Sequence, residues 1–191
     1  MSSESTTPAG TGFEQVDETV RYQGRMVRMS TLHFRGPDGE EFERDFVHHP
    51  GAVAVLPITD DGSYVLVRQY RTPLGRETLE LPAGVRDKHG EDAAAAAARE
   101  LAEETGYVAA TLVPMVSVHT APGFTNEEVS IFVGTGLRQE APEADGIEEQ
   151  HMSVVELSPA EFDEVVASGE MTDAKTILAV YQYRCEGFLG A

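Results

Sequence analysis

Cysteine is nearly absent from this chain of 191 residues, where Cys185 stands alone. A single thiol cannot close an internal disulfide, so nothing in the covalent structure requires an oxidising compartment. Positive charge is scarce too. Fourteen Lys and Arg stand against 33 Asp and Glu, a formal net charge of −19. That balance repels a phosphate backbone and argues against nucleic acid as a partner. It leaves room for a phosphorylated small molecule, because a divalent cation can bridge carboxylate to phosphate. Long apolar runs are missing as well: none approaches the roughly 20 residues that span a bilayer. The opening stretch, MSSESTTPAGTG, has neither the basic nor the apolar region of a secretory signal. The expectation is a soluble cytoplasmic protein, in no contact with membranes.

What is present suffices for a core. Hydrophobic residues make up 41% of the chain, and the length suits one domain with a small appendage. Residues 1–12 are mostly Ser, Thr, Pro and Gly with little to bury, which predicts a disordered tail. Residues 13–47 read as short strands, MSTLHFR and EFERDFV meeting across the turn GPDGE. They form a small antiparallel sheet of their own. Residues 48–191 form the main domain. In it AVAVLPI is an apolar strand, and Asp60-Asp61-Gly62 turns it into SYVLVRQYR as a hairpin partner. ETLELPAG is a short strand ending in a loop; ATLVPMVSVHT, EVSIFVGTGL and SVVEL are further strands. A helix is predicted from about Asp92 to Thr105, stopped by Gly106. Ser158-Pro159-Ala160-Glu161 opens another with a capping box, and a last helix runs from about Thr172 to Cys185. Strands mixed with few helices indicate an α+β fold, an α/β/α sandwich, rather than a doubly wound parallel sheet.

The helix that begins with six alanines, Ala93 to Ala98, continues as Arg99-Glu100-Leu101-Ala102-Glu103-Glu104. Glu100 and Glu104 lie one above the other on the same face, and Glu103 overlaps Glu100. Like charges at this spacing repel, whereas a hard divalent cation such as Mg²⁺ or Mn²⁺ would draw them together. An isolated acidic triplet is usually a solvated face; this one follows a strand and a glycine-containing loop, LPAGVRDKHGE, which together make a cradle. His48 and His49 are adjacent on a strand and point to opposite faces, which argues against a metal pair. His119 and His151 lack ligand spacing, and Cys185 reads as a buried apolar residue.

Gly84, six residues, Glu91, seven residues, then Arg99 to Tyr107 as RELAEETGY resembles the box of the Nudix family. The family has five residues between the glycine and the first glutamate, so here either Glu91 follows an enlarged loop or Gly90 takes the glutamate's place. The box spans some 24 residues. GAVAVLPI, VLVRQYR, ELPAG and TAPGFTNE, with Pro122 standing 16 residues past Gly106, are similar to the family's ADP-ribose pyrophosphatase branch over about Val47 to Ala179. The resemblance implies a Nudix-like mixed sheet and hydrolysis of ADP-ribose to AMP and ribose 5-phosphate with Mg²⁺, Mn²⁺ being possible. It places the metal on Glu100, Glu104 and the carbonyl of Ala83, with Glu103 assisting and Arg99 orienting the carboxylates. Arg71 matches an arginine on the substrate's phosphates or ribose, and Glu127, beside Gly123 and Phe124, a substrate-side glutamate. Phe124 could pack over substrate or anchor its loop. Tyr22 could be an adenine platform or a plain sheet-surface residue. The catalytic base matches Glu148 in the acidic loop before SVVEL, with Glu149 as the alternative and Glu148 also within reach of metal. Another nucleoside diphosphate derivative, a nucleotide sugar or a dinucleotide, is the competing substrate. A non-catalytic ligand-binding protein is the competing class, though such proteins typically lose box glutamates. The N-terminal sheet implies a homodimer, since the branch exchanges that region between subunits.

Overall fold

The structure is a computed structural model and describes residues 12–25, 27–88, 90–140 and 151–186. The described residues up to Pro50, together with Ala121–Glu127, form one compact unit; Gly51–Thr120 and those from Glu128 onward form the other.

In the first unit β1 (Glu14–Gln23), β2 (Arg28–Arg35) and β3 (Glu41–His48) make an antiparallel sheet in that order. The expected GPDGE turn is present: the Gly36 N–H donates to the Glu40 carbonyl at 2.8 Å, and Gly39 takes the positive φ of 86° that the reversal needs. Ser30 and Leu32 of the central strand are buried. The segment Ala121–Glu127 is tied to this unit by main-chain contacts, with Val47 N–H donating to the Phe124 carbonyl at 2.7 Å. The His49 N–H donates to Asn126 Oδ1 at 2.8 Å.

In the second unit β4 (Ala52–Pro57) has both hydrogen-bonding edges filled, by β7 (Ala83–Val85) running antiparallel and β9 (Glu128–Gln139) running parallel. β8 (Tyr107–His119) closes that four-stranded sheet on the outer side of β9, and an outer strand can hold Pro114 because one row of its donors goes unused. A second, antiparallel sheet has the order β10 (Ser153–Leu157), β5 (Tyr64–Arg71), β6 (Arg76–Glu80).

Alternation along β4 explains the sandwich. Val53 and Val55 pack with Phe132 against Ala96, Ala97 and Leu101 of α1 (Ala93–Thr105). Ala54 and Leu56 meet Leu66 and Leu79 of the second sheet, Phe162 of α2 (Pro159–Ala167) and Val180 of α3 (Ala174–Glu186). Both faces of β4 are covered, so its sequence reads as one apolar run. The α+β sandwich with a small antiparallel sheet is the fold expected from the sequence. No helix among the described residues is long and apolar enough to cross a membrane.

Three local expectations are corrected. β4 and β5 are not a ladder: the turn forms, with Thr59 N–H donating to the Ser63 carbonyl at 3.0 Å, but pairing ends at one isolated bridge, Ile58 to Tyr64. The strands then enter different sheets, because each has both edges occupied by other partners. The end of ETLELPAG is not loop but β7 of the other sheet. Cys185 is exposed rather than buried, since it lies on the outer side of α3, near its end.

Candidate active site

The acidic helix is fixed at both ends by local chemistry. Asp92 caps its start by accepting from Ala94 N–H at 3.0 Å. Gly106, at φ 70°, ends it with its N–H on the Ala102 carbonyl at 2.9 Å. The alanines explain the approach: Ala96 and Ala97 are fully buried against β4, so the helix axis lies close to the sheet. That places the carboxylates of the next turns against β7. The Glu104 Oε2 accepts from the Ala83 N–H at 3.0 Å. The buried Glu100 carboxyl lies so tightly on Gly84 that any Cβ there would overlap it. The glycine of the box is thus a requirement of close packing, not of backbone dihedral.

Arg99 organises the other side. Its Nε and Nη2 donate to the two oxygens of Glu91, each at 3.1 Å. Its Nη1 reaches Glu103 Oε2 and Glu100 Oε1, both at 2.7 Å. The bonds to Glu91 and Glu103 raise the guanidinium's pKa above its ordinary value, and Arg99 in turn lowers that of Glu91. Glu91 thus joins the Arg99 network of the acidic helix, and the preceding Gly90 takes a positive φ of 81°.

A second ionic cluster stands beside the first. Arg71, at the end of β5, donates through Nε to Glu80 Oε1 and through Nη2 to Oε2, both at 2.7 Å. Thr78 Oγ1 donates to Oε1 at 2.6 Å and Lys175 Nζ to Oε2 at 2.5 Å. Asp173 Oδ1 pairs with Lys175 at 3.0 Å. Burial would raise the Glu80 pKa, but the Arg71 hydrogen bonds and the Lys175 charge prevail and hold it at about 2. Arg71 is raised, chiefly by its bonds to Glu80, and the Glu104 charge contributes. The two clusters are thus close enough to act on one another.

Of the residues singled out in the sequence, Arg71, Ala83, Glu100, Glu103 and Glu104 come together in the second unit. Tyr22, Gly123, Phe124 and Glu127 lie in the first. Tyr22 and Phe124 are exposed, at 61% and 54%; it is the Phe124 carbonyl that anchors its loop. Gly123 would have open space around a Cβ. Glu127 Oε1 lies 3.5 Å from His49 Nε2, while His48 Nε2 is 2.8 Å from Glu18, so the two histidines serve separate carboxylates. Glu148 and Glu149 fall outside the described residues. Sequence reading missed Glu80, Thr78, Asp173 and Lys175. Glu80 carried a signal, as a charge at an inward position of the strand RETLE; Lys175, 95 residues away, carried none.

Among the described residues no three His, Cys, Asp or Glu side chains form a metal-holding group by themselves. The oxygen donors that do converge are the carboxylates of Glu100 and Glu104 on the main chain of Ala83 and Gly84. Such all-oxygen sets suit Mg²⁺ or Mn²⁺ rather than softer metals.

The NUDIX domain matches residues 47–179. The chain belongs to the Nudix family. The ADP-ribose pyrophosphatase of Bacillus subtilis (strain 168) is 38% identical over 161 residues, 83% of this chain and 85% of that protein. The methanol dehydrogenase activator of Bacillus methanolicus is 37% identical over 159 residues, 83% of this chain and 85% of its own length. A crystal structure of an ADP compounds hydrolase superposes with a TM-score of 0.79 at 22% identity, covering 91% of this chain and 92% of the other, which establishes the Nudix fold. The family consists of hydrolases that generally use a divalent metal ion.

Proposed function

We propose that this Nudix hydrolase cleaves the diphosphate bond of ADP-ribose, giving AMP and ribose 5-phosphate, with Mg²⁺ as its metal and Mn²⁺ able to substitute. The observation that carries the reading is the convergence of Glu100 and Glu104 on the Ala83–Gly84 main chain beside a fixed arginine, Arg71. Glu100, Glu104 and the Ala83 carbonyl would hold the ion, with Glu103 assisting. Bound there, it would neutralise phosphoryl oxygens and acidify the attacking water. Arg71 binds the diphosphate. Glu148 takes the proton of the attacking water as the new oxygen–phosphorus bond forms and the bridging bond breaks, its electron pair leaving on the departing phosphate. Glu149 is the alternative base. By the resemblance Glu127 is a substrate-side glutamate; Gly123, Phe124 and Tyr22 are proposed as further substrate contacts. The intact set of box glutamates favours an enzyme over a ligand-binding relative.

The test is an activity panel with Mg²⁺ across ADP-ribose, nucleotide sugars and dinucleotides, with products identified. ADP-ribose should give the highest kcat/KM and the products AMP and ribose 5-phosphate. A nucleotide sugar or dinucleotide turned over better by an order of magnitude would replace this substrate assignment.

A further inference from the structure

Arg71 is not anchored as a surface arginine usually is. Its partner Glu80 is buried and fully engaged: Oε1 accepts from Arg71 Nε and Thr78 Oγ1, and Oε2 from Arg71 Nη2 and Lys175 Nζ. Four donors saturate one carboxylate. The guanidinium therefore presents its Nε and Nη2 edge inward. Nη1 makes no hydrogen bond or ion pair with any described residue, and the side chain remains 39% exposed. Lys175 is one of only two lysines in the chain, yet it is spent on an interior contact, with Asp173 balancing it.

Stability is a poor reason to keep such a group. A buried ion network generally adds little over apolar residues of similar volume, and it destabilises strongly when one partner is removed. The neighbouring interior positions Leu79 and Leu81 are filled by leucine without difficulty. What an apolar pair could not do is lock a planar guanidinium in one orientation with a free edge outward. A flexible arginine loses side-chain freedom when it grips a phosphate; one already held loses less.

We propose that Glu80 and Lys175 are positioning residues that hold Arg71 preorganised for the substrate's diphosphate. This rests on the reading that Arg71 contacts substrate. Glu80 fixes the plane of the guanidinium, and Lys175 fixes Glu80 by occupying the remaining lone pair of Oε2, so that the carboxylate cannot rotate with its arginine.

A double-mutant cycle on the full chain with Mg²⁺ and ADP-ribose tests it, using Arg71→Ala, Glu80→Gln and the two combined. Removing charge from a hydrogen-bonded ionic contact should raise KM about 10- to 100-fold in Glu80→Gln, with a smaller change in kcat. The double variant should be no worse than Arg71→Ala alone, because Glu80 acts only through Arg71. Additive losses would mean that Glu80 serves the site independently, and would overturn the proposal. Glu80→Met combined with Lys175→Met guards against simple misfolding: it should keep the wild-type melting temperature within a few degrees and still show the raised KM. Normal KM in that folded variant also overturns the proposal. If wild-type protein fails to hydrolyse ADP-ribose at all, the substrate assignment falls first and takes this inference with it. An active wild type with an additive cycle defeats the inference alone.

Discussion

Gly84 shows how strictly single residues are set in this site. Its φ is ordinary, and what forbids a side chain is the Glu100 carboxyl lying on its Cα. Gly84→Ala should push Glu100 off the Ala83–Gly84 main chain. Overpacking of this kind costs about 1–3 kcal/mol, and the displaced carboxylate should weaken Mg²⁺ binding measured by calorimetry. Glu104→Gln separates geometry from charge. It keeps the volume and can still accept from Ala83 N–H, yet it should lower Mg²⁺ affinity about tenfold or more. Relief of repulsion from Glu100 should leave the metal-free protein as stable as wild type, or more so. Unchanged metal affinity in that variant would remove Glu104 from the ligand set. Glu148→Gln should cut turnover by roughly 10²–10⁴-fold, the range of a general base, while binding of substrate changes little. Glu149→Gln is the control; if it alone is crippled, the base sits one residue later.

At the scale of elements, α1 was legible because its determinants are local. Asp92, the alanine run and Gly106 lie within one short stretch and set start, packing face and stop without reference to anything distant. Ala97→Leu tests the packing face. Adding bulk between α1 and Val53 or Val55 should cost about 1–3 kcal/mol in urea unfolding and reduce Mg²⁺ affinity by shifting Glu100 and Glu104, although residue 97 touches no substrate. A stable variant with normal metal binding would mean that the helix position is set elsewhere. Strand pairing was less legible. Asp60-Asp61-Gly62 encodes a reversal, and the reversal occurs, but a turn does not state which edges stay paired beyond it. That was decided by β7 and β9 at the edges of β4 and by β6 and β10 at those of β5, and all of these but β6 arrive from far along the chain. The Glu80–Lys175 contact escaped for the same reason. A box of fixed spacing announces its carboxylates, whereas a lysine at the start of α3 announces nothing until the fold delivers it.

For the molecule as a whole, the sequence reading of a homodimer built on the β1–β3 sheet is a proposal with a direct measurement. Sedimentation equilibrium should return twice the 20.7 kDa of one chain, and a monomeric mass would reject it. Net charge makes a second molecular property predictable. With 33 carboxylates, acid unfolding sums many small contributions, so Glu80 must be read by difference. Its pKa is about 2 in the folded protein against an ordinary 4.5, so between those values the unfolded chain binds more protons than the folded one. The stabilisation from Glu80 is therefore complete above pH 4.5 and is lost as pH falls through about 2. Glutamine at this position cannot titrate. The stability gap between wild type and Glu80→Gln, measured by urea unfolding at a series of pH values, should be constant near neutrality. It should narrow by about 3 kcal/mol on descending from pH 5 toward pH 2. A gap that stays constant over that range would mean that Glu80 is not the ionised anchor of Arg71 and Lys175, and the charge balance of the second cluster would have to be redrawn.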